Sequence, residues 1–153
     1  MMGNSKIKIS SSEELSQKTH YKFKRVHFQL ELENGQWESQ SREVLDRGNG
    51  VTILLYNPIN KSVILTRQFR IPTYLNGNPT GLMIEACAGV IENESPELSI
   101  IRETEEDTGY KVAKPLKIFE AYMSPAAVTE IIYFYVAEYT DSIKISQGGG
   151  LDE

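Results

Sequence analysis

Glu103, Glu106 and Asp107 lie within one short run, Arg102-Glu103-Thr104-Glu105-Glu106-Asp107-Thr108-Gly109. If that run is helical, they fall at i, i+3 and i+4 and crowd one face. Like charges so placed repel, at a cost of about 0.2–0.5 kcal/mol for each pair on an isolated helix. A divalent cation reverses the sign. Mg2+ and Mn2+ take hard oxygen ligands and keep several waters, so a carboxylate cluster of this kind suits either ion. The competing reading is a solvated acidic face that needs no ligand.

Other reactive side chains carry weaker signals. Cys87, the only cysteine, sits between Ala86 and Ala88 in an apolar stretch; without an adjacent histidine it reads as a packed thiol rather than a nucleophile. His20 and His27 stand seven apart on strand-like sequence, hence on opposite faces, which argues against a joint metal site. Arg70, at a strand end, has the forked guanidinium that suits a phosphate, and an ordinary surface cation is the alternative. Glu130 precedes an apolar strand and reads equally as a solvated strand start. His20 and Tyr21 can stack on a base or simply pack.

The chain has 153 residues, 40% hydrophobic and 24% charged, with a net charge of −5. One compact domain with a small appendage is expected. Net acidity disfavours a nucleic-acid partner, whose binders carry basic faces. The longest apolar runs, Val51 to Tyr56 and Ile131 to Ala137, are strand-sized and fall short of the ~20 residues of a membrane helix. The start lacks an apolar leader segment, so a cytoplasmic location is expected.

The helix that must hold the acids is marked at both ends. Ser95 is the N-cap, Pro96 occupies the first turn where its missing N–H costs nothing, and Gly109 closes the helix after Thr108. Leu98 and Ile101 are its expected apolar contacts. Upstream, Tyr21 to Leu32 alternates and Gln36 to Leu45 is extended, with Asn34-Gly35 between them as a tight turn, which predicts a β-hairpin. Further extended runs are Val51 to Asn57, Ser62 to Arg70, Leu82 to Ala88, Leu116 to Tyr122 and Glu130 to Tyr139. The expected division is an N-terminal hairpin extension over 1–47 and a main domain over 48–153. One confident helix against several strands leaves an apolar sheet face uncovered. Either a partner covers it or the main domain lacks a C-terminal helix.

The order of residues around the acids resembles the signature of the Nudix hydrolase family. Arg102, Glu103, Glu106, Gly109 and Tyr110 fall in register, and seven residues separate Glu94 from Arg102. Three positions depart from that pattern: the Gly89 to Glu94 loop is one residue short, Thr104 replaces an apolar residue, and Asp107 replaces a glutamate. Arg47-Gly48-Asn49-Gly50, Arg67-Gln68-Phe69-Arg70, Glu85-Ala86-Cys87-Ala88-Gly89, Tyr122-Met123-Ser124-Pro125 and Gly148-Gly149-Gly150 resemble the branch that acts on nucleoside-diphosphate sugars. The resemblance implies an α+β fold, a Nudix αβα sandwich around a mixed β-sheet with the antiparallel hairpin added. It implies Mg2+-dependent hydrolysis of a pyrophosphate, most nearly that of GDP-mannose to GMP and mannose 1-phosphate. ADP-ribose hydrolysis and a catalytically weak nucleotide-sugar-binding module are the alternatives.

The same resemblance implies residue roles and a homodimer built by exchange of the N-terminal strands. The Ala88 carbonyl and the Glu103 and Asp107 carboxylates would hold the metal, with Glu106 as a ligand through water. Arg102 would orient the cluster by pairing with an acid. Arg70 and Glu130 would contact substrate, as would Arg42 and Glu43 reaching across the dimer; Ala88, His20 and Tyr21 are further substrate-contact candidates read from the residues themselves. The proton acceptor would lie after the glycines, where Asp152 and Glu153 are the candidates; a general base of this kind contributes ~10²–10⁴-fold.

Overall fold

The computed structural model describes residues 7–16 and 21–150. The chain divides into two compact units, residues 1–48 with 122–130 and residues 49–121 with 131–153.

In the first unit β1 (Ile7–Glu14), β2 (Lys22–Glu31) and β3 (Trp37–Asp46) form one antiparallel sheet with β2 in the middle. β2 and β3 pair without a break from Lys22 opposite Asp46 to Glu31 opposite Trp37. The turn falls where Asn34-Gly35 placed it: the Asn34 side chain accepts the Gln36 N–H at 3.0 Å, and the Leu32 N–H donates to the Gln36 carbonyl at 2.7 Å. The hairpin thus gains a third strand that the sequence did not announce. All eight residues of β1 are exposed, so no hydrophobic period marks it, and backbone pairing along β2 makes the strand. The end of β3 is tied to residues 122–130, since the Leu45 N–H donates to Ala127 at 2.8 Å and the Thr129 N–H donates back to Leu45 at 3.0 Å.

The second unit holds β4 (Gly50–Asn57), β5 (Ser62–Ile64), β6 (Thr66–Phe69), the short α1 (Ile71–Leu75), β7 (Leu82–Glu85), β8 (Cys87–Val90), α2 (Pro96–Thr108), β9 (Leu116–Tyr122) and β10 (Ile131–Glu138). Its main sheet runs β5-β4-β10-β9, and β8 also pairs with β4. β10 is parallel to β4 while β5 and β8 are antiparallel to it, so the sheet is mixed. The run from Ser62 to Arg70, expected as one strand, divides at Leu65: β5 stays on β4 and β6 turns away to pair with β7. α1 fills a stretch for which no helix was expected. It has no side-chain cap and only Pro72 in its first turn to favour it.

Alternation builds the core. Val51, Ile53 and Leu55 of β4 and Tyr135 and Ala137 of β10 are buried together with Cys87 of β8 and Ile100 of α2. α2 has the predicted ends: the Ser95 hydroxyl accepts the Leu98 N–H, and Gly109 caps the helix in the left-handed region. Its buried face differs from expectation. Ser99, Ile100, Thr104 and Thr108 are buried, whereas Leu98 is 58% exposed. The threonines are accommodated because their hydroxyls donate one turn back, Thr104 to the Ile100 carbonyl and Thr108 to the Thr104 carbonyl, both at 2.5 Å, which satisfies a donor that burial would otherwise orphan. On β9, Leu116, Ile118 and Phe119 are exposed. Among the described residues no helix is long and apolar enough to cross a membrane.

These packing differences have a measurable consequence. Ile100→Ala is expected to cost about 2–5 kcal/mol, a fall in melting temperature of about 5–15 °C. Leu98→Ala is expected to change stability by no more than about 0.5 kcal/mol. Thermal denaturation of the two variants checks which face of α2 is the packed one.

Candidate active site

α2 projects its acids from a fixed base, since Ile100, Thr104 and Thr108 lock one face inward. Arg102 gathers the neighbouring acids. Its Nε and Nη2 donate to Glu94 Oε1 at 3.1 and 2.9 Å, Nη2 lies 2.9 Å from Glu103 Oε1, and Nη1 donates to Glu106 Oε2 at 3.0 Å. These contacts, the Glu94 hydrogen bond first, hold the guanidinium charge even more firmly than usual. The Glu103 side chain lies directly on Gly89 of β8, where any Cβ would overlap its carboxyl group. Glu103 is thereby set beside the peptide that follows Ala88. Ala88 is half-buried and stands opposite Thr52 in the β4–β8 register.

Asp107 is not held by Arg102. Its Oδ2 lies 3.7 Å from the Cys87 thiol, which also approaches the Glu103 backbone carbonyl at 3.5 Å. Burial, followed by the charge of Asp107, pushes the Cys87 thiol far above its ordinary range and keeps it protonated, in keeping with a packed thiol. Burial also raises the Glu103 carboxyl, opposed by Arg102 and reinforced by the charges of Asp107 and Glu106. The Asp107 carboxyl is likewise raised, chiefly by burial, with repulsion from Glu106 added and with Cys87 and Arg70 acting against it. The residue set therefore has more anionic oxygen than its cations neutralise.

Arg70 caps the start of α1, and its Nε donates to Glu85 Oε2 at 2.8 Å. It is close enough for its charge to act on Asp107. The remaining candidates belong to the first unit. Arg42 and Glu43 are exposed on β3; Arg42 donates to the Ser41 carbonyl and to Gln40, and Glu43 pairs with Arg25 at 2.8 Å. Glu130 is only 9% exposed and faces Arg47 at 3.5 Å. The Arg47 guanidinium lies 5.6 Å from the centre of the Tyr21 ring. His20 and Glu153 lie outside the described residues. The Arg47–Glu130, Arg70–Glu85 and Cys87–Asp107 contacts were not foreseen, and no local spacing signals them.

As the side chains stand, no three His, Cys, Asp or Glu among the described residues converge on a common point. Glu103 and Glu106 are turned towards Arg102 instead. The donor set nonetheless fits a hard divalent ion: it consists of carboxylate oxygens, two of them with raised proton affinity from burial and mutual repulsion, and Glu106 is exposed and free of packing constraint.

The mixed sheet and the capped acidic helix, with Arg102 among its acids, form a carboxylate-rich site whose oxygens suit a hard divalent cation. The model of the NUDIX domain matches residues 46–153, and the chain belongs to the Nudix family, whose hydrolases generally use a divalent metal. Residues 6–45 match the GDP-mannose pyrophosphatase NudK N-terminal domain. Over 148 residues the chain is 47% identical to a GDP-mannose pyrophosphatase of Enterobacter sp. (strain 638), covering 97% of this chain and 77% of that protein. It is 49% identical over 148 residues to a GDP-mannose pyrophosphatase of Yersinia pestis (strain Pestoides F), covering 96% and 75%. A crystal structure of an ADP compounds hydrolase shares the fold, with a TM-score of 0.69 and 21% identity over 97% of this chain and 74% of that one.

Raised carboxyls make a signed expectation for the metal-free protein. A carboxyl whose proton affinity is higher folded than unfolded stabilises the fold below its unfolded pKa, and the stabilisation is lost as pH rises through the folded value. Asp107→Asn is therefore expected to raise the melting temperature at pH 7 by about 0.5–2 °C, the scale of one relieved like-charge contact. The gain should vanish below about pH 4, where the acid is protonated in both states. Melting curves in a chelator across that range check it.

Proposed function

We propose that this chain hydrolyses the pyrophosphate bond of GDP-mannose, with Mg2+, to GMP and mannose 1-phosphate. The observation that carries this reading is the identity of 47–49% to GDP-mannose pyrophosphatases, which extends through both the N-terminal sheet and the Nudix domain. ADP-ribose is the weaker alternative, because the ADP compounds hydrolase resembles this chain at 21% identity only.

The proposed roles follow the site. Glu103, Asp107 and the Ala88 carbonyl would hold Mg2+, with Glu106 joining through water. The ion neutralises diphosphate charge and lowers the pKa of water when bound. Arg102 is an orienting residue: by binding Glu94, Glu103 and Glu106 at once it fixes the directions in which the acids reach. Arg70 supplies a planar pair of N–H donors to a phosphate. Glu130, Arg42, Glu43, His20 and Tyr21 contact the rest of the nucleotide sugar. Glu153 accepts the proton of the attacking water, whose oxygen ends on one of the two phosphoryl products. Little covalent help is required of the protein, since positioning and charge neutralisation carry most phosphoryl transfer.

Residues 1–47 serve as an extension exchanged between two subunits and residues 48–153 as the catalytic domain of a cytoplasmic homodimer. The exposed Leu116, Ile118 and Phe119 are compatible with a covered face in such an assembly.

The test is a side-by-side assay of GDP-mannose and ADP-ribose with Mg2+. Equimolar GMP and mannose 1-phosphate are expected, with Glu103→Gln lowering kcat by about 10²–10⁴-fold, the range for losing a group central to such catalysis. Turnover of ADP-ribose alone would transfer the reading to the alternative. Tight calorimetric binding of GDP-mannose without hydrolysis would make the chain a binding module. Light scattering should give twice the 17.3 kDa of the chain; a monomer would remove the exchange of strands.

A further inference from the structure

The negative pole of the acidic helix is closed by a segment that lies forty residues further along the chain. The last carbonyls of a helix lack intrahelical donors and carry the negative end of its dipole. In α2 that end coincides with Glu105, Glu106 and Asp107, and its last turn contains no basic residue. The missing donors come from the glycines after β10. The Gly149 N–H donates to the Asp107 carbonyl at 2.9 Å and the Gly150 N–H to the Glu106 carbonyl at 3.1 Å. The approach is anchored upstream, where Ile145 donates to Gly109 at 2.8 Å and Lys111 donates to Ile143 at 2.9 Å.

Gly148 makes this docking possible. It has φ +66°, and a Cβ there would stand 2.5 Å from the Asp107 carbonyl oxygen and 2.6 Å from the Thr108 carbonyl carbon. Neither neighbour can yield, since both are backbone of the helix end. Gly149 differs: its φ is also positive, but a Cβ would meet nothing within 4 Å. At Gly150 a Cβ would lie 3.4 Å from Asp107 Oδ1, so the segment passes the carboxylate as well as the carbonyl.

We propose that Gly148–Gly150 is a positioning strap for the acid cluster, its two amides capping the Glu106 and Asp107 carbonyls so that the Asp107 carboxylate is held in place for the metal. The inference rests on the reading of Asp107 as a metal ligand. Asp107 is the one member of the cluster that Arg102 does not hold. A shorter side chain at this position has less reach than glutamate, so its backbone must be placed more tightly. The strap provides that placement without a charged side chain of its own.

The test uses the full chain with Mg2+ alone and compares wild type, Gly148→Ala, Ser146→Ala and, as a control, Leu98→Ala; Ser146→Ala removes the hydroxyl that accepts the Gly148 N–H at 3.1 Å. In metal-free wild type the Gly149 and Gly150 amides should be protected from hydrogen exchange, and Gly148→Ala should release them. Mg2+ half-saturation by calorimetry should rise by about 10–100-fold in Gly148→Ala, the range for groups that orient metal ligands, and should change far less in Leu98→Ala, a truncation of an exposed residue of α2 outside the strap and the acid cluster. A purely structural cap would lower the melting temperature and leave Mg2+ affinity alone. Released amides with Mg2+ affinity within about twofold of wild type would therefore overturn the proposal. Should Gly148→Ala fail to fold, Ser146→Ala decides in the same way, by loosened amides with or without weaker Mg2+ binding; unprotected amides in wild type also overturn it. Loss of all Mg2+ binding by wild type would instead refute the metal reading beneath it, and absence of GDP-mannose turnover would refute the substrate alone.

Discussion

Three carboxylates, Glu94, Glu103 and Glu106, crowd around a single arginine, and a fourth, Asp107, lies next to them without being held by it. Arg102 reaches three of them at 2.9–3.0 Å, and no arrangement of one guanidinium can neutralise the remainder. Burial sharpens the imbalance, because it removes from Glu103 and Asp107 the water that would otherwise screen them. The cluster is thus an electrostatic liability in the free protein and an asset once positive charge arrives.

The rest of the second unit can be understood as what makes that liability tolerable. α2 is held by Ile100 and by threonines whose hydroxyls are spent on the turn before them, so the face towards the sheet has no unsatisfied donor. β4 supplies three fully buried residues behind it, Val51, Ile53 and Leu55, and β8 brings Gly89 close enough to seat Glu103. A protonated Cys87 occupies the space next to Asp107 without adding charge. A helix held this firmly can present repelling groups outward without unwinding, because tertiary packing outweighs the few tenths of a kcal/mol of each repulsion.

Local chemistry made some of this legible in the sequence. Ser95-Pro96 and Gly109 mark both ends of α2 because capping acts within a few residues, and Asn34-Gly35 marks its turn for the same reason. The pairing of Arg102 with an acid was implied by the family resemblance and not by spacing. By contrast β1 carries no apolar period, α1 has no cap, and the division at Leu65 reflects which neighbours each half pairs with. Ile100 rather than Leu98 faces the core because the sheet, not the helix, decides which stripe is covered. Arg70–Glu85, Arg47–Glu130 and the glycines against α2 are contacts between distant segments that no spacing encodes. The break between β3 and β4 falls at Arg47, Gly48 and Asn49, where glycine favours a turn; the return of residues 122–130 to the first unit depends on pairing with Leu45 that only the fold provides.

The most direct measurement is anomalous diffraction at the manganese edge from crystals soaked in Mn2+. The expected result is a peak bounded by Glu103, Asp107 and the Ala88 carbonyl, with Arg102 still bound to Glu94. Occupied manganese elsewhere in the molecule, with Glu103 and Glu106 both remaining on Arg102, would contradict it.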